Sequence, residues 1–195
     1  MLPIHLVKTF KIMKKLLFLI AFTSFAFLAD AQSASYKAFK VDVDFGYAIP
    51  SSGTGTKAGA TFTLEPHYRL ADDFAVGLRI EGAALGYQTA TGSGSDVKVS
   101  LLTSYCATGE YYFADGGFRP FGGAGLGFFS QASLDVTSGS GNTLATIPGA
   151  TKFGFFPRVG FESGHLRMSA SYNILGNNSN YLAFTIGFFL GGGKK

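Results

Sequence analysis

His67 is the residue of this sequence best suited to proton transfer, and it lies in the segment 65–69, which reads EPHYR. A histidine beside a carboxylate can act as a general base, provided that the reacting groups are within hydrogen-bond reach. In a β-strand, Glu65 and His67 would share one face at a separation of about 7 Å. Because no serine or acid is arranged around His67 on the opposite face, we predict no catalytic residue and a structural polar role for His67.

Other chemical signatures in the sequence are weak. Segment 122–127, GGAGLG, has the glycine content of a phosphate-binding loop, but no helix-forming segment follows it. His5, His67 and His165 are far apart in the sequence, and Cys106 is the single cysteine. We therefore predict no metal site, no cofactor and no internal disulfide. Cys106 is interpreted as a small packed residue.

Charged residues alternate with apolar ones along most of the chain. Segment 39–47, FKVDVDFGY, places Phe, Val, Val, Phe and Tyr at odd positions, with Lys, Asp, Asp and Gly between them. Successive side chains of a β-strand point to opposite faces, whereas a helix repeats near 3.6 residues, so this pattern predicts strands. The predicted strands are 39–49, 59–70, 74–87, 97–113, 118–133, 151–163, 166–175 and 181–190.

The connections between these strands alternate in length. Segments 71–73, 114–117 and 163–165 are tight turns, whereas 50–58, 88–96, 134–150 and 176–180 are longer or rich in Ser, Gly, Thr and Asn. Short turns at one end and longer loops at the other are typical of transmembrane barrels. The sequence therefore predicts an all-β fold: an eight-stranded antiparallel up-and-down transmembrane β-barrel, formed by one domain of residues 32–195.

Two prolines fall inside these predicted strands, Pro66 in the second and Pro157 in the sixth. Proline has no backbone N–H to donate to a strand ladder, so it is usually confined to edges, bulges and strand ends. A closed barrel has no free edge. We therefore expect a bulge or a strand end at each proline.

The first 31 residues have the three parts of a secretion signal. A charged start at 13–15 (MKK) is followed by a thirteen-residue apolar run at 16–28 and a small-residue cleavage site at 29–31 (ADA). The run is shorter than the roughly 20 residues of a spanning helix. We predict a signal peptide over 1–31, with Met13 as an alternative start, and a mature protein in the bacterial outer membrane.

The formal charge of +4 comes mostly from this leader. Residues 1–31 contain four lysines and one aspartate, so the 16 basic and 12 acidic groups of the chain become 12 and 11 in the mature protein. Recognition of nucleic acid needs a basic stripe on the folded domain. No nucleic-acid partner is therefore expected.

The polar face of the strands is predicted to point into the barrel. An Arg or Lys that faces the bilayer midplane costs about 2–4 kcal/mol, and several such costs would consume much of a typical stability of about 5–15 kcal/mol. An eight-stranded barrel is only wide enough for its own side chains, so these residues should form a plugged polar lumen. The predicted lumen network is Lys40, Asp42, Asp44, Glu65, His67, Arg69, Arg79, Glu81, Glu110, Arg119, Arg158, Glu162 and Arg167.

The glycine-aromatic segment 120–129 (PFGGAGLGFF) and the closing segment 181–189 (YLAFTIGFF) carry a family resemblance. With the leader and the strand pattern, the chain resembles the small outer-membrane β-barrel domain family, typified by OmpX-like and OmpW-like proteins. The resemblance implies an integral barrel in contact with outer-membrane lipid. It also implies that periplasmic chaperones and the barrel-assembly machinery handle the chain, the latter by reading the aromatic end of the last strand. It implies no single activity.

The expected function is that of a non-enzymatic, porin-like outer-membrane barrel with a structural or surface-interaction role through its outer loops, whose extracellular ligand the sequence does not name. A narrow small-solute channel is the first alternative. A lipid-modifying membrane enzyme using His67 is another. A soluble secreted ligand-carrying barrel is the remaining alternative, and it would have the two strand faces reversed.

Overall fold

The alternating segments form β-strands in the computed structural model, which describes residues 35–51, 56–91, 94–132, 134–137, 143–147, 149–176 and 179–195. The predicted signal peptide lies outside these residues. No helix among them is long and apolar enough to cross a membrane. The strands are β1 Phe39–Pro50, β2 Thr56–Arg69, β3 Phe74–Thr91, β4 Gly94–Tyr112, β5 Phe118–Gln131, β6 Leu134–Thr137, β7 Thr143–Ile147, β8 Ala150–Ser163, β9 Leu166–Asn173 and β10 Tyr181–Gly191.

Eight of these strands close into one barrel in the order β1-β10-β9-β8-β5-β4-β3-β2. Every neighbouring pair is antiparallel, and β1 closes the ring because it pairs with both β2 and β10. Val43, for example, lies opposite Leu64 on one side and Phe188 on the other. The predicted fold class, an all-β eight-stranded antiparallel barrel, is confirmed.

Two segments predicted as loops contain paired strands instead. The ladder between β3 and β4 continues as far as Thr91 opposite Gly94, so most of 88–96 is the end of a long hairpin. Within 134–150, β6 and β7 form a separate two-stranded sheet. The Ser, Gly and Thr content favoured loops, but backbone pairing with a neighbouring strand outweighs local composition, and the β-branched Thr and Val of these segments suit strands.

The expectation of a bulge or strand end at the prolines is wrong. Pro66 stays paired with Val41, and Pro157 stays paired with Ala124. Each proline instead leaves a gap in the ladder on its other side, towards β3 and β9 respectively, while the residues beyond keep their register. A residue of an antiparallel strand bonds mainly with one neighbour. The missing N–H therefore weakens one ladder and leaves the other intact.

The segments before β1 (35–38) and after β10 (192–195) and the three tight turns lie at one end of the barrel, called here the short-turn end. The opposite end, called the long-loop end, carries the β3–β4 hairpin and the connection that contains β6 and β7. Inside the barrel, the side chains form layers between these two ends. Tyr112 and Phe121 pack near the short-turn end, charged residues fill the middle, and an apolar group with Phe129 and Phe156 lies towards the long-loop end.

Glycine on β5 makes room for one ring of this apolar group. A Cβ added to Gly125 would lie 2.4 Å from the ring of Phe156, closer than packed atoms allow. The ring of Phe156 is completely buried and lies 3.6 Å from the guanidinium carbon of Arg79. The absence of a side chain at Gly125 therefore lets the ring occupy the barrel interior beside Arg79.

Candidate functional site: the charged interior

The structure places each of the thirteen predicted lumen residues inside the barrel, none of them more than 5% exposed. The two-residue period of each strand brings them there, since every one has the same parity on its strand as its buried neighbours. Burying a charge without a partner costs several kcal/mol. The stability of this interior therefore depends on the pairing of its buried charged groups.

Arg158 connects opposite walls of the barrel. Its Nη1 donates to Glu65 Oε2 at 2.5 Å and its Nη2 to Glu65 Oε1 at 2.8 Å, which makes a two-pronged ion pair. Nη2 also lies 2.6 Å from Glu110 Oε1. Arg158 is on β8 and Glu65 on β2, four places apart in the ring of eight strands. Paired hydrogen bonds of this kind are among the strongest polar contacts in proteins.

Arg167 is a second connection, and it reaches four acids. Its Nη1 donates to Glu162 Oε1 at 2.8 Å, its Nε lies 3.2 Å from Asp42 Oδ2, and its Nη2 forms a close ion pair with Glu110. Nε also lies 3.9 Å from Asp44 Oδ2. These acids come from β8, β1 and β4, so a single guanidinium on β9 holds three other strands.

Lys40 on β1 makes a close ion pair with Glu162 on β8, again across the barrel. It also lies 3.1 Å from Asp42 Oδ1 and donates to the hydroxyl of Tyr112 at 3.0 Å. That hydroxyl lies 2.9 Å from Glu162 Oε1 and 3.0 Å from Glu110 Oε2. The lysine and the tyrosine therefore extend the ion-pair network towards the short-turn end.

His67 lies in the middle of this network and faces three carboxylates. Nε2 is 2.9 Å from Asp42 Oδ2 and 3.3 Å from Glu65 Oε1, and Nδ1 is 3.8 Å from Glu110 Oε2. The side chain is 1% exposed. The sequence reasoning missed the proximity of Asp42, because it follows from the register of β1 against β2, in which Asp42 lies opposite Glu65.

Asp42, Glu65 and His67 hold ligand-type atoms within 4.8 Å of one another, the arrangement of a metal site. The same oxygens already contact cations, since Asp42 Oδ2 lies beside Arg167 and both Glu65 oxygens accept from Arg158. A divalent cation would add positive charge beside two guanidinium groups. The geometry therefore favours ion pairing of these three residues over metal ligation.

A smaller polar group lies closer to the long-loop end and is centred on Arg79. Its Nη2 donates to Asn173 Oδ1 at 2.7 Å across the barrel, and its Nη1 lies 3.6 Å from Glu81 Oε2. The hydroxyl of Tyr181 donates to Glu81 Oε1 at 2.6 Å. Tyr181 and Asn173 were not among the predicted residues. Their positions on the inward parity of β9 and β10 are the signal that could have found them.

The fold of the chain is similar to that of several proteins whose structures have been solved. No protein-family model matches the chain, and no curated protein matches it. The chain is similar to Neisserial surface protein A, with 20% sequence identity and a TM-score of 0.56 over 78% of this chain and 96% of that one. It is also similar to the outer membrane protein OprG from Pseudomonas aeruginosa, with 14% identity and a TM-score of 0.52 over 82% and 98%. The predicted resemblance is confirmed at the level of the fold: the chain has the fold of the small eight-stranded outer-membrane β-barrels.

Proposed function

We propose that the chain is an integral outer-membrane β-barrel whose interior is closed by its ion-pair network, with a structural or surface-interaction role at the long-loop end. The observation that carries this proposal is the set of polar contacts between opposite walls. Arg158 to Glu65 and Arg79 to Asn173 join strands four places apart in the ring, and Lys40 to Glu162 joins strands three places apart. A lumen crossed at several levels by direct contacts leaves no continuous aqueous path.

The outer face supports a location in lipid. Large apolar side chains are exposed all around the barrel, Phe45, Leu78, Val159 and Ile186 among them. Contiguous apolar patches on soluble monomers rarely exceed a few hundred Å², whereas lipid requires an apolar exterior. A soluble ligand carrier would have its charges outside, and here they are inside. With the segments that flank the barrel, 35–38 and 192–195, at the short-turn end, that end faces the periplasm in this proposal.

The long-loop end supports a surface role. A barrel strand crosses a bilayer with about 9–11 residues, whereas β3 has 18 residues and β4 has 19. The excess extends the β3–β4 hairpin beyond the lipid, next to the connection that contains β6 and β7. Loops on a rigid scaffold are the usual place for recognition. In this proposal the barrel-assembly machinery inserts the chain into the membrane, and β10 is the strand that closes the barrel.

The buried ion-pair network also affects the two alternative functions, a lipid-modifying enzyme and a small-solute channel. His67 is enclosed by carboxylates and guanidinium groups, so a lipid substrate on the outer face cannot reach it. We infer that its role is structural. A small-solute channel would need the wall-to-wall contacts to open, so conductance is the measurement that separates a channel from a closed barrel.

The test uses the refolded mature protein in planar lipid bilayers. We expect no steady ohmic conductance from the wild-type protein, because the lumen is crossed by direct contacts. Replacing Arg158 by Gly should produce a measurable leak, since it removes a wall-to-wall contact together with its volume. Lys152→Gly is the matched control, as this half-buried lysine on the same strand contacts Ser179 outside the network. Steady conductance of the wild-type protein would refute the closed lumen and support the channel.

A further inference from the structure

A pocket of about 300 Å³ opens at the short-turn end of the barrel interior, between the segments 35–38 and 192–195 and the tight turns. Its charged lining consists of Arg69, Arg119, Lys194 and Glu162. Three cations therefore face one acid. The carboxylates of Asp72 and Asp115 in the neighbouring turns do not line it, although the backbone oxygen of Asp72 accepts from Arg119 at 2.7 Å.

Arg69 is the unusual member of this lining. It is 1% exposed, yet its Nε, Nη1 and Nη2 have no hydrogen-bond partner within the part of the chain that the structure describes. The nearest carboxylate oxygen in an ion pair is Glu162 Oε2, 3.6 Å from Nη2, which is beyond hydrogen-bond distance. A buried donor without an acceptor is costly, and more so when it carries charge. Arg69, which lines the pocket, therefore carries guanidinium donors that are buried and unused.

Glu162 faces Arg69 with Oε2, which has no hydrogen-bond partner among the described residues and lies 3.6 Å from Nη2, beyond hydrogen-bond distance. Oε1 accepts from Arg167 at 2.8 Å, lies 2.9 Å from the Tyr112 hydroxyl and contacts Lys40. One carboxylate thus faces three cations, counting Arg69. Arg69 therefore shares its ion-pair partner Glu162 with Lys40 and Arg167.

Arg119 adds a second guanidinium beside the first. Its carbon Cζ lies 4.1 Å from the ring centre of Tyr36 and 4.2 Å from that of Tyr112, and Cζ of Arg69 lies 4.8 and 4.9 Å from the same two rings. Arg119 donates to two backbone carbonyls and forms no ion pair within 4 Å among the described residues. Two aromatic rings therefore hold two like charges together.

We infer that this pocket binds a phosphate group through Arg69 and Arg119, with Lys194 at its entrance. The guanidinium fork matches the oxygen geometry of phosphate. The lining carries three positive charges and one negative charge, a net charge of +2. This balances the charge of about −1.5 to −2 on a phosphate monoester at pH 7. In the proposed orientation the ligand comes from the periplasm, either as free phosphate or as the ester of a larger molecule. The binding itself rests on the pocket alone and not on the proposed function.

The test titrates the refolded full mature protein in detergent with inorganic phosphate, followed by calorimetry at constant ionic strength with chloride as the competing anion. We expect saturable binding to the wild-type protein. Arg69→Gln and Arg119→Gln should each weaken it by about tenfold or more, because each removes charge-assisted hydrogen bonds. Arg79→Gln is the matched control, since this arginine lies towards the other end of the interior and already donates to Asn173.

Folding of each variant is checked by its heat-dependent gel mobility. Lys194→Gln, at an exposed position, gives a readout that does not depend on the buried arginines and should weaken binding by a smaller factor. A parallel titration with glycerol 3-phosphate distinguishes the sources. Tighter binding of the ester indicates a phosphorylated molecule, and tighter binding of inorganic phosphate indicates the free ion. No saturable binding to the wild-type protein, or equal binding by the folded Arg69, Arg119 and Lys194 variants, would overturn the proposal and leave a water-filled pocket.

Discussion

Replacement of Arg167 by Met tests whether the ion-pair network stabilises the barrel. The arginine is completely buried and contacts carboxylates on three other strands, those of Asp42, Glu110 and Glu162. Without it, these buried acids lose a shared cation. Removing one partner of a buried ion pair typically costs about 3–5 kcal/mol. That is a large share of a typical total stability of about 5–15 kcal/mol.

The assay for this variant is urea unfolding in lipid vesicles. The chain has no tryptophan, so the folded fraction is followed by gel mobility and by circular dichroism of the strands. We expect Arg167→Met to lower the free energy of unfolding by about 3–5 kcal/mol. Lys152→Met is the matched control. It removes a half-buried cation of the same interior face that donates to Ser179 at 2.8 Å, and it should cost about 1 kcal/mol.

A second substitution, Glu110→Gln, tests whether the charges of the network are coupled. Adding Glu110→Gln to Arg167→Met removes one of the carboxylates that Arg167 contacts, so the double variant should be more stable than the sum of the single effects predicts by about 1–3 kcal/mol. The reasoning is refuted if Arg167→Met and Lys152→Met unfold at the same urea concentration. It is also refuted if the double variant shows no coupling, since the charges would then act independently.

Two further predictions concern packing and orientation. Gly125→Val should lower the free energy of unfolding by about 1–3 kcal/mol because its side chain would collide with the ring of Phe156, whereas Gly82→Val meets nothing within 4 Å and should unfold like the wild type. Equal effects of the two glycine variants in the urea assay would contradict the packing described here. On intact cells, a membrane-impermeant maleimide should label Thr143→Cys at the long-loop end and not Asp72→Cys at the short-turn end. Labelling of the second variant alone would reverse the proposed orientation.

The sequence determined the architecture because the relevant signals are local. Alternation in segments such as 39–47 follows from the geometry of a single strand, so it identified both the strands and the face of each that is buried. The alternation of short and long connections then indicated an up-and-down barrel. Local composition was a weaker guide in 88–96 and 134–150, where Ser, Gly and Thr suggested loops and the structure has paired strands.

The sequence also placed the thirteen polar residues of the lumen network on the inward face, but it did not indicate their partners. Those depend on strand register and on the ring order, neither of which is encoded by one strand alone. The register of β1 against β2 brings Asp42 beside His67, and the closed ring brings Arg158 opposite Glu65. Tyr181 and Asn173 joined the polar interior for the same reason.

The prolines and Arg69 show most clearly what only the tertiary structure decided. A proline in a strand implies a missing hydrogen bond, but whether it disturbs the register depends on the neighbouring ladders, and here Pro66 and Pro157 keep theirs. Arg69 is one of several inward arginines in the sequence. Its unused donors become apparent only when Glu162 is found to be shared with Lys40 and Arg167. Strand faces are a local property of the chain, whereas the pairing of charges depends on distances between strands that only the closed barrel brings together.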